Sequence, residues 1–274
     1  MAKCTTIYRV LLIAATSLTG PSPARAAAQT VAIYSAGSLR GVVSALAKEA
    51  SAFNIEIKTT FGGSGSLRER IEKGETPDLF MSADVGSPQK LESGGRTIVP
   101  VIAFARNRMC IVSRRSAGVT ASNLIDRLLA KEMRVKTSTP IADPAGDYAW
   151  AIFDHIDTVR PGTGAKLKEK AQALMSVSAA PSPGQSATAA LFVAKEIDMS
   201  ITYCSGWPAL KKEVPDLTSL AVPPQLDPHP VDAVAVLSDR PPAMRIALFL
   251  LSRKGQAIVA QEGLVPLLDA GSRP

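Results

Sequence analysis

Two stretches of the chain place serine hydroxyls at what read as helix starts: Ser35-Ala36-Gly37-Ser38-Leu39 and Phe61-Gly62-Gly63-Ser64-Gly65-Ser66-Leu67. Each follows a strand-like run, 31–34 and 55–60. A helix start leaves backbone N–H groups unbonded, and a serine there adds an O–H donor, so the pair suits a small anion. Three further junctions carry donors of the same kind. Ser82-Ala83-Asp84 closes the run 79–82, with Asp84 as an N-cap and the Ala83 amide left to donate. Asp143-Pro144-Ala145-Gly146-Asp147-Tyr148 opens a helix whose Ala145 and Gly146 amides lack intrahelical partners. Pro183-Gly184-Gln185-Ser186 opens the next, and Tyr203 ends the run 199–203 with a phenol O–H. The candidate ligand-binding set is therefore Ser38, Ser64, Ala83, Ala145, Gln185 and Tyr203. Taken singly, each has an ordinary role as a helix cap, turn or strand residue; their shared position at strand-to-helix junctions singles them out.

Nucleophilic chemistry fits less well. Gly62-Gly63-Ser64-Gly65-Ser66 approaches the G-x-S-x-G elbow of secreted serine hydrolases but has Ser66 in place of the last glycine. Only His155 and His229 could serve as a base; the first reads as a helix-surface residue and the second as a solvated residue between prolines. There is no Walker lysine motif, dinucleotide glycine fingerprint or metal-ligand spacing. The expectation is a binding protein without a cofactor.

The elements that must position these donors alternate along the chain. Strand-like runs at 31–34, 55–60, 79–82, 109–113, 133–138 and 199–203 are separated by segments with 3.6-residue apolar spacing at 39–53, 66–73, 148–155, 164–174 and 187–196. Such alternation predicts an α/β fold with parallel sheets covered by helices, and ligands at the carboxyl ends of the strands. The texture changes at 94–107, and Pro215, Pro223, Pro224, Pro228 and Pro230 stiffen a long connection before 231–237. A chain that leaves one lobe, builds a second and returns gives two such crossings. The expected division is lobe 1 at 27–106 and 235–274 and lobe 2 at 107–234, with helices at 243–252 and 255–262 closing lobe 1.

The first 26 residues read as a secretory signal: Lys3 and Arg9, an apolar run too short to span a bilayer, and Ala24-Arg25-Ala26, with cleavage after Ala28 as the competing boundary. Of the formal net charge of +7, Lys3, Arg9 and Arg25 in this segment supply three. The remaining excess has no basic cluster with interleaved aromatics, so nucleic acid is not an expected partner. Aromatics make up only 5% of residues, which argues against a stacking pocket for sugars. Cys4 lies in the signal; Cys110 and Cys204 remain, each beside a strand-like run, and are open to two readings, a disulfide or two buried thiols.

Taken in order, the five motifs around Ser38, Ser64, Ala83, Ala145 and Tyr203 resemble those of periplasmic molybdate-binding proteins, the substrate-capturing components of ABC importers. The resemblance covers residues 27–274. It implies a two-lobed type II periplasmic-binding-protein fold, each lobe a mostly parallel sheet flanked by helices, closing on molybdate or tungstate in the interlobe cleft. It also implies anion contacts at Ser38, Ser64, Ala145 and Tyr203, with Ala83 nearby, no direct metal ligands, a monomer in the periplasm, and an inner-membrane permease as partner. Gln185-Ser186 and Cys204-Ser205-Gly206 depart from the family pattern, and Asp147 places a carboxylate two residues from Ala145. A sulfate- or thiosulfate-binding protein is the nearest alternative; ferric-ion capture is disfavoured because Tyr34, Tyr148 and Tyr203 are far apart in sequence. Molybdate and sulfate are fully ionised at neutral pH, so a site of uncharged donors free of carboxylates satisfies them.

Overall fold

The computed structural model describes Met1 and residues 28–267; the expected signal segment lies outside the described residues. The chain opens with β1 (Gln29–Ala36), α1 (Arg40–Ser51), β2 (Ile55–Gly62), α2 (Ser64–Glu72), β3 (Leu79–Ser82), α3 (Gly86–Ser93) and β4 (Ile102–Arg106). Val31 and Ile33 of β1 are fully buried, and Val42, Val43, Leu46 and Ala50 bring one face of α1 down beside them. A second unit follows: β5 (Met109–Arg114), α4 (Leu124–Leu129), β6 (Val135–Lys136), α5 (Pro144–Val159), α6 (Gly164–Gln172), α7 (Ala187–Val193), β7 (Met199–Tyr203), α8 (Trp207–Glu213) and β8 (Leu217–Ala221). The chain then returns through β9 (Val231–Val236), α9 (Pro241–Leu251), α10 (Arg253–Gln261) and β10 (Val265–Pro266).

Two sheets result, six strands in the order β10-β4-β9-β3-β1-β2 and four in the order β6-β7-β5-β8. The α/β class and two-sheet architecture agree with the sequence, but the sheets are mixed rather than mostly parallel. In the first, β1 runs parallel to β2 and β3, whereas β9 is antiparallel to β3 and β4. In the second, only β6 and β7 are parallel. The cause is the two crossings: β9 and β5 enter their sheets from the partner unit, not through a helical crossover, so nothing forces them parallel. Because β9 pairs from Val231 onward, the six-stranded sheet is re-entered inside the segment read as the proline-rich return.

Apolar spacing located most elements and missed some. Strands β4 and β8 and helices α3, α4 and α8 had no expected counterpart, and only Val135 and Lys136 of the run 133–138 pair. The cysteines are bridged: Cys110 near the start of β5 is joined to Cys204, the residue after β7, across a sequence separation of 94. The antiparallel register Met109↔Tyr203 brings the two together. Among the described residues no helix is long and apolar enough to cross a membrane.

Two strands of chain connect the units side by side, Asn107-Arg108 and residues 222–230. The Asn107 amide donates to the Pro230 carbonyl at 2.9 Å and the Val222 amide to that of Met109 at 2.8 Å. Buried Asp227 accepts from the Met109 amide at 3.4 Å. His155 reaches the same connection: it is half-buried rather than free on the helix surface, its Nδ1 lying 3.0 Å from the Leu226 carbonyl oxygen. His229 is exposed, with φ of 54°.

Candidate functional site

The carboxyl ends of β1, β2 and β3 face the second unit, and there Ser64, Ala83 and Tyr203 meet. Ser64 is fully buried at the first position of α2. Its Oγ accepts from the Ala83 N–H at 3.1 Å, so its own proton is available. Across the interface, the Tyr203 hydroxyl donates to the Ala83 carbonyl at 3.4 Å. Ala83 thus joins a serine of one unit to a tyrosine of the other. The Tyr203 ring lies edge-on to that of Tyr148, with centroids 6.2 Å apart. Burial pushes both phenols well above their ordinary titration range, so both stay neutral donors.

Ser38 follows β1 in a single helical turn, and its Oγ is buried without a hydrogen-bond partner. A buried hydroxyl costs about 1–3 kcal/mol when left unpaired. Such an orphan beside Ser64's fold partner β1 is the mark expected of a group whose partner is a ligand.

The two units touch directly at α2. Ser66 donates its amide to the Ala142 carbonyl at 3.1 Å. Glycine is required for this approach. A Cβ on Gly65 would overlap the Ile141 carbonyl oxygen and lie 2.8 Å from its carbon, and one on Gly63 would overlap the Ala142 oxygen. Ile141 itself has φ of 70°, a strained value for a β-branched residue. The Asp147 carboxylate holds it there, accepting the Ile141 amide at 2.8 Å.

Not all six expected residues offer donors. The Ala145 amide is engaged by the N-capping Asp143 carboxylate at 3.0 Å, and the Gly146 amide by the Asp143 carbonyl at 2.9 Å. With Pro144 lacking an N–H, the Asp143 cap leaves neither the Ala145 nor the Gly146 amide of that first turn as a free donor. Gln185 folds back on its own turn, its Oε1 accepting from the Ser182 amide at 3.1 Å. It is the adjacent Ser186 that lines a hollow of about 250 Å³ with Gly37, Thr188 and Thr202. Ser186 also caps α7, accepting from the Ala189 amide at 3.2 Å.

Nor are carboxyl groups absent. Asp84, Asp147, Tyr148 and His229 line a hollow of about 270 Å³ that draws on both units. Each carboxylate near the cleft nonetheless has donors of its own: Asp84 accepts from Ser82 Oγ and from the Ser87 amide and hydroxyl, Asp143 from Ala145, and Asp147 from Ile141. Asp147 is also pushed up, first by burial. Asp232 is the exception. It is fully buried in β9 and neither carboxyl oxygen has a partner. Burial, with the charge of Asp84 adding to it, pushes it up to about 8, so it is predominantly neutral at pH 7. The sequence did carry one signal of it, a lone acid in the apolar run Val231-Asp232-Ala233-Val234-Ala235-Val236.

Elsewhere, a hollow of about 630 Å³ sits at the opposite end of the six-stranded sheet, where Arg240 pairs with Asp78. Among the described residues no group of three or more His, Cys, Asp or Glu side chains is arranged to hold a metal ion.

Residues 31–265 match the family model for bacterial extracellular solute-binding proteins. An uncharacterised protein of Pasteurella multocida is 34% identical over 175 residues, covering 62% of this chain and 71% of that protein. Among solved structures, the periplasmic molybdate-binding protein of Azotobacter vinelandii superposes with a TM-score of 0.66 at 19% identity, over 86% of this chain and 98% of that one. The sulfate-binding protein SubI of Mycobacterium tuberculosis gives 0.71 at 17% identity, over 88% of each chain.

Proposed function

This chain belongs to the bacterial extracellular solute-binding proteins, and from that premise we propose that it captures a tetrahedral oxyanion, molybdate or tungstate first, in the periplasm and delivers it to an ABC import permease. The observation that carries the reading is the orphaned Ser38 hydroxyl at the end of β1, with the fully buried Ser64 hydroxyl at the end of adjacent β2. Tyr203, a neutral phenol from the opposite lobe, ties that lobe to the serines by donating to the Ala83 carbonyl, and the first amides of α2 add partial positive charge without a fixed cation. A dianion held this way leaves without breaking a salt bridge.

The same donors argue against phosphate. Hydrogen phosphate carries a proton that needs an acceptor, whereas the buried groups without partners are the Ser38 hydroxyl and the Asp232 carboxyl, which is predominantly protonated at pH 7 and so itself a donor. An unpaired proton in the closed cleft costs about 1–3 kcal/mol. Ser38 and Ser64 supply the anion contacts; Ala83 positions Ser64 and Tyr203 relative to each other. Ala145 stands as a wall residue, since its amide is engaged within its turn; Gln185 uses its side-chain oxygen within its own turn and keeps its NH2 as a donor.

Calorimetric titration of purified protein with molybdate, tungstate, sulfate and phosphate tests the reading. Saturable heat with molybdate and tungstate, and little with phosphate, is expected. Competition by sulfate at equal affinity would move the assignment to a sulfate-binding protein. Absence of heat and of any thermal shift with the first three would refute it.

A further inference from the structure

Asp232 has no role in the account above, and its surroundings are unusual. In the ladder between β3 and β9, Met81 lies opposite Val234 and Ser82 opposite Ala233; Asp232, two residues before Val234 on β9, lies opposite Ala105 of β4. Opposed residues of an antiparallel pair share a face of the sheet. The carboxyl group therefore shares the sheet face of Val234 and Met81, within electrostatic reach of Asp84, Tyr148 and Tyr203, the last of which is bonded to Ala83. Buried polar atoms are almost always partnered, yet both oxygens of Asp232 are without partners.

The titratable and charged groups around it are few. The turn between β3 and α3 offers Asp84; α5 offers Tyr148 and Asp147, with Asp143 capping it; β7 offers Tyr203; the connection before β9 offers Asp227 and His229. Arg106, opposite Val231 on β4, is exposed. Among the described residues no cation is paired with Asp232, and the charge acting on it is the negative one of Asp84.

We propose that Asp232 stands beside the bound oxyanion as a neutral carboxylic acid, and that closure of the lobes on a dianion takes up one proton at this residue. The inference rests on the oxyanion reading. In the open cleft, water reaches the carboxyl group and favours its ionised form. Closure removes that water and brings two more negative charges close, and both changes favour the protonated form. The proton comes from solvent and adds to one carboxylate oxygen; no other bond forms or breaks. Bound, the O–H is a further donor to an anion whose every oxygen needs one. Ionised, the group would repel the anion. Asp232 thereby becomes a specificity element, rewarding fully ionised oxyanions that cannot supply a proton themselves.

The test is molybdate titration of the intact protein by calorimetry at pH 6, 7, 8 and 9, each in two buffers of different ionisation enthalpy. Proton uptake is expected as buffer-dependent heat near neutral pH and above, with affinity falling about tenfold between pH 8 and 9. Asp232→Asn, a neutral side chain of the same shape, is expected to bind with an affinity independent of pH and with heat independent of buffer. Wild-type affinity that is flat from pH 6 to 9 without proton uptake would overturn the inference while leaving molybdate capture intact. A variant that retained the wild-type pH slope would overturn it as well. If the variant fails to fold, the buffer dependence of the wild-type heat decides alone. Absence of molybdate heat at every pH would remove the oxyanion reading first and this inference with it.

Discussion

Gly65→Ala isolates lobe closure from lobe folding. The new Cβ would lie 2.8 Å from the Ile141 carbonyl carbon and overlap its oxygen, where carbon atoms pack best at about 3.5–4.0 Å. Relief requires the lobes to separate by about 1 Å, because the obstacle is backbone and the strained Ile141 is already tied to Asp147. Overpacking of this kind costs about 1–3 kcal/mol. The separation also lengthens the Ser66–Ala142 hydrogen bond, a further loss of about 1 kcal/mol. The closed state is thus disfavoured by about 2–4 kcal/mol, which lowers molybdate affinity by about 30- to 700-fold if only the closed state binds. Gly94→Ala, where a Cβ makes ordinary contact, is the control. Calorimetry reads the affinity, and small-angle scattering reads whether molybdate compacts the protein. Wild-type affinity and wild-type compaction in Gly65→Ala would refute the claim that this glycine governs closure.

Other perturbations separate binding from stability. Ser38→Ala is expected to weaken molybdate binding by about 1–3 kcal/mol without lowering thermal stability, since its hydroxyl has no partner in the protein. Ser64→Ala is expected to do both, because it also strips the acceptor from the Ala83 amide; paired calorimetry and melting curves check the contrast. Asp232, raised from 3.8 to about 8 in the fold, binds its proton more tightly folded than unfolded, so its effect on stability is unfavourable above pH 4 and grows up to pH 8. Asp232→Asn should therefore raise the melting temperature at pH 7–8, by an amount equivalent to at most about 6 kcal/mol, with the gain fading toward pH 4; a pH-independent gain would contradict this. Reduction of Cys110–Cys204, which closes a loop of 94 residues, is expected to lower stability by about 2–5 kcal/mol, read as a drop in denaturation midpoint under reducing conditions.

What was legible in the sequence was local. Ser38 and Ser64 were visible because a β-branched run followed by Gly and Ser announces a strand entering a helix, and both side chains lie where that junction predicts. Tyr203 was visible for the same reason from the opposite lobe. The engagement of Ala145 was not, since an aspartate at the cap satisfies the very amides that a small residue at that site would leave open, and the motif reads alike in either case. β4 and β8 escaped notice because their alternation is short and they gain stability from partners distant in sequence, Val231–Val236 and Met109–Arg114. The contact of Gly65 with Ile141, 76 residues away in the case of its neighbours Ser66 and Ala142, leaves no periodic trace at all. Asp232 was legible as an anomaly in an apolar strand, but only the fold shows that it is buried without a partner close to Asp84, Tyr148 and Tyr203.

The paired connections carry a mechanical consequence. A single tether would let the lobes twist and bend about any axis, whereas two tethers, tied to each other through Asn107–Pro230 and Val222–Met109, behave like the two pins of a door. The Cys110–Cys204 bridge clamps the leaf right beside those pins, so the four-stranded sheet turns as one plate. Bending at this paired connection would part or join the lobes where α2 meets the 141–142 turn, an approach in which Gly65 leaves the Ile141 carbonyl no room for a side chain.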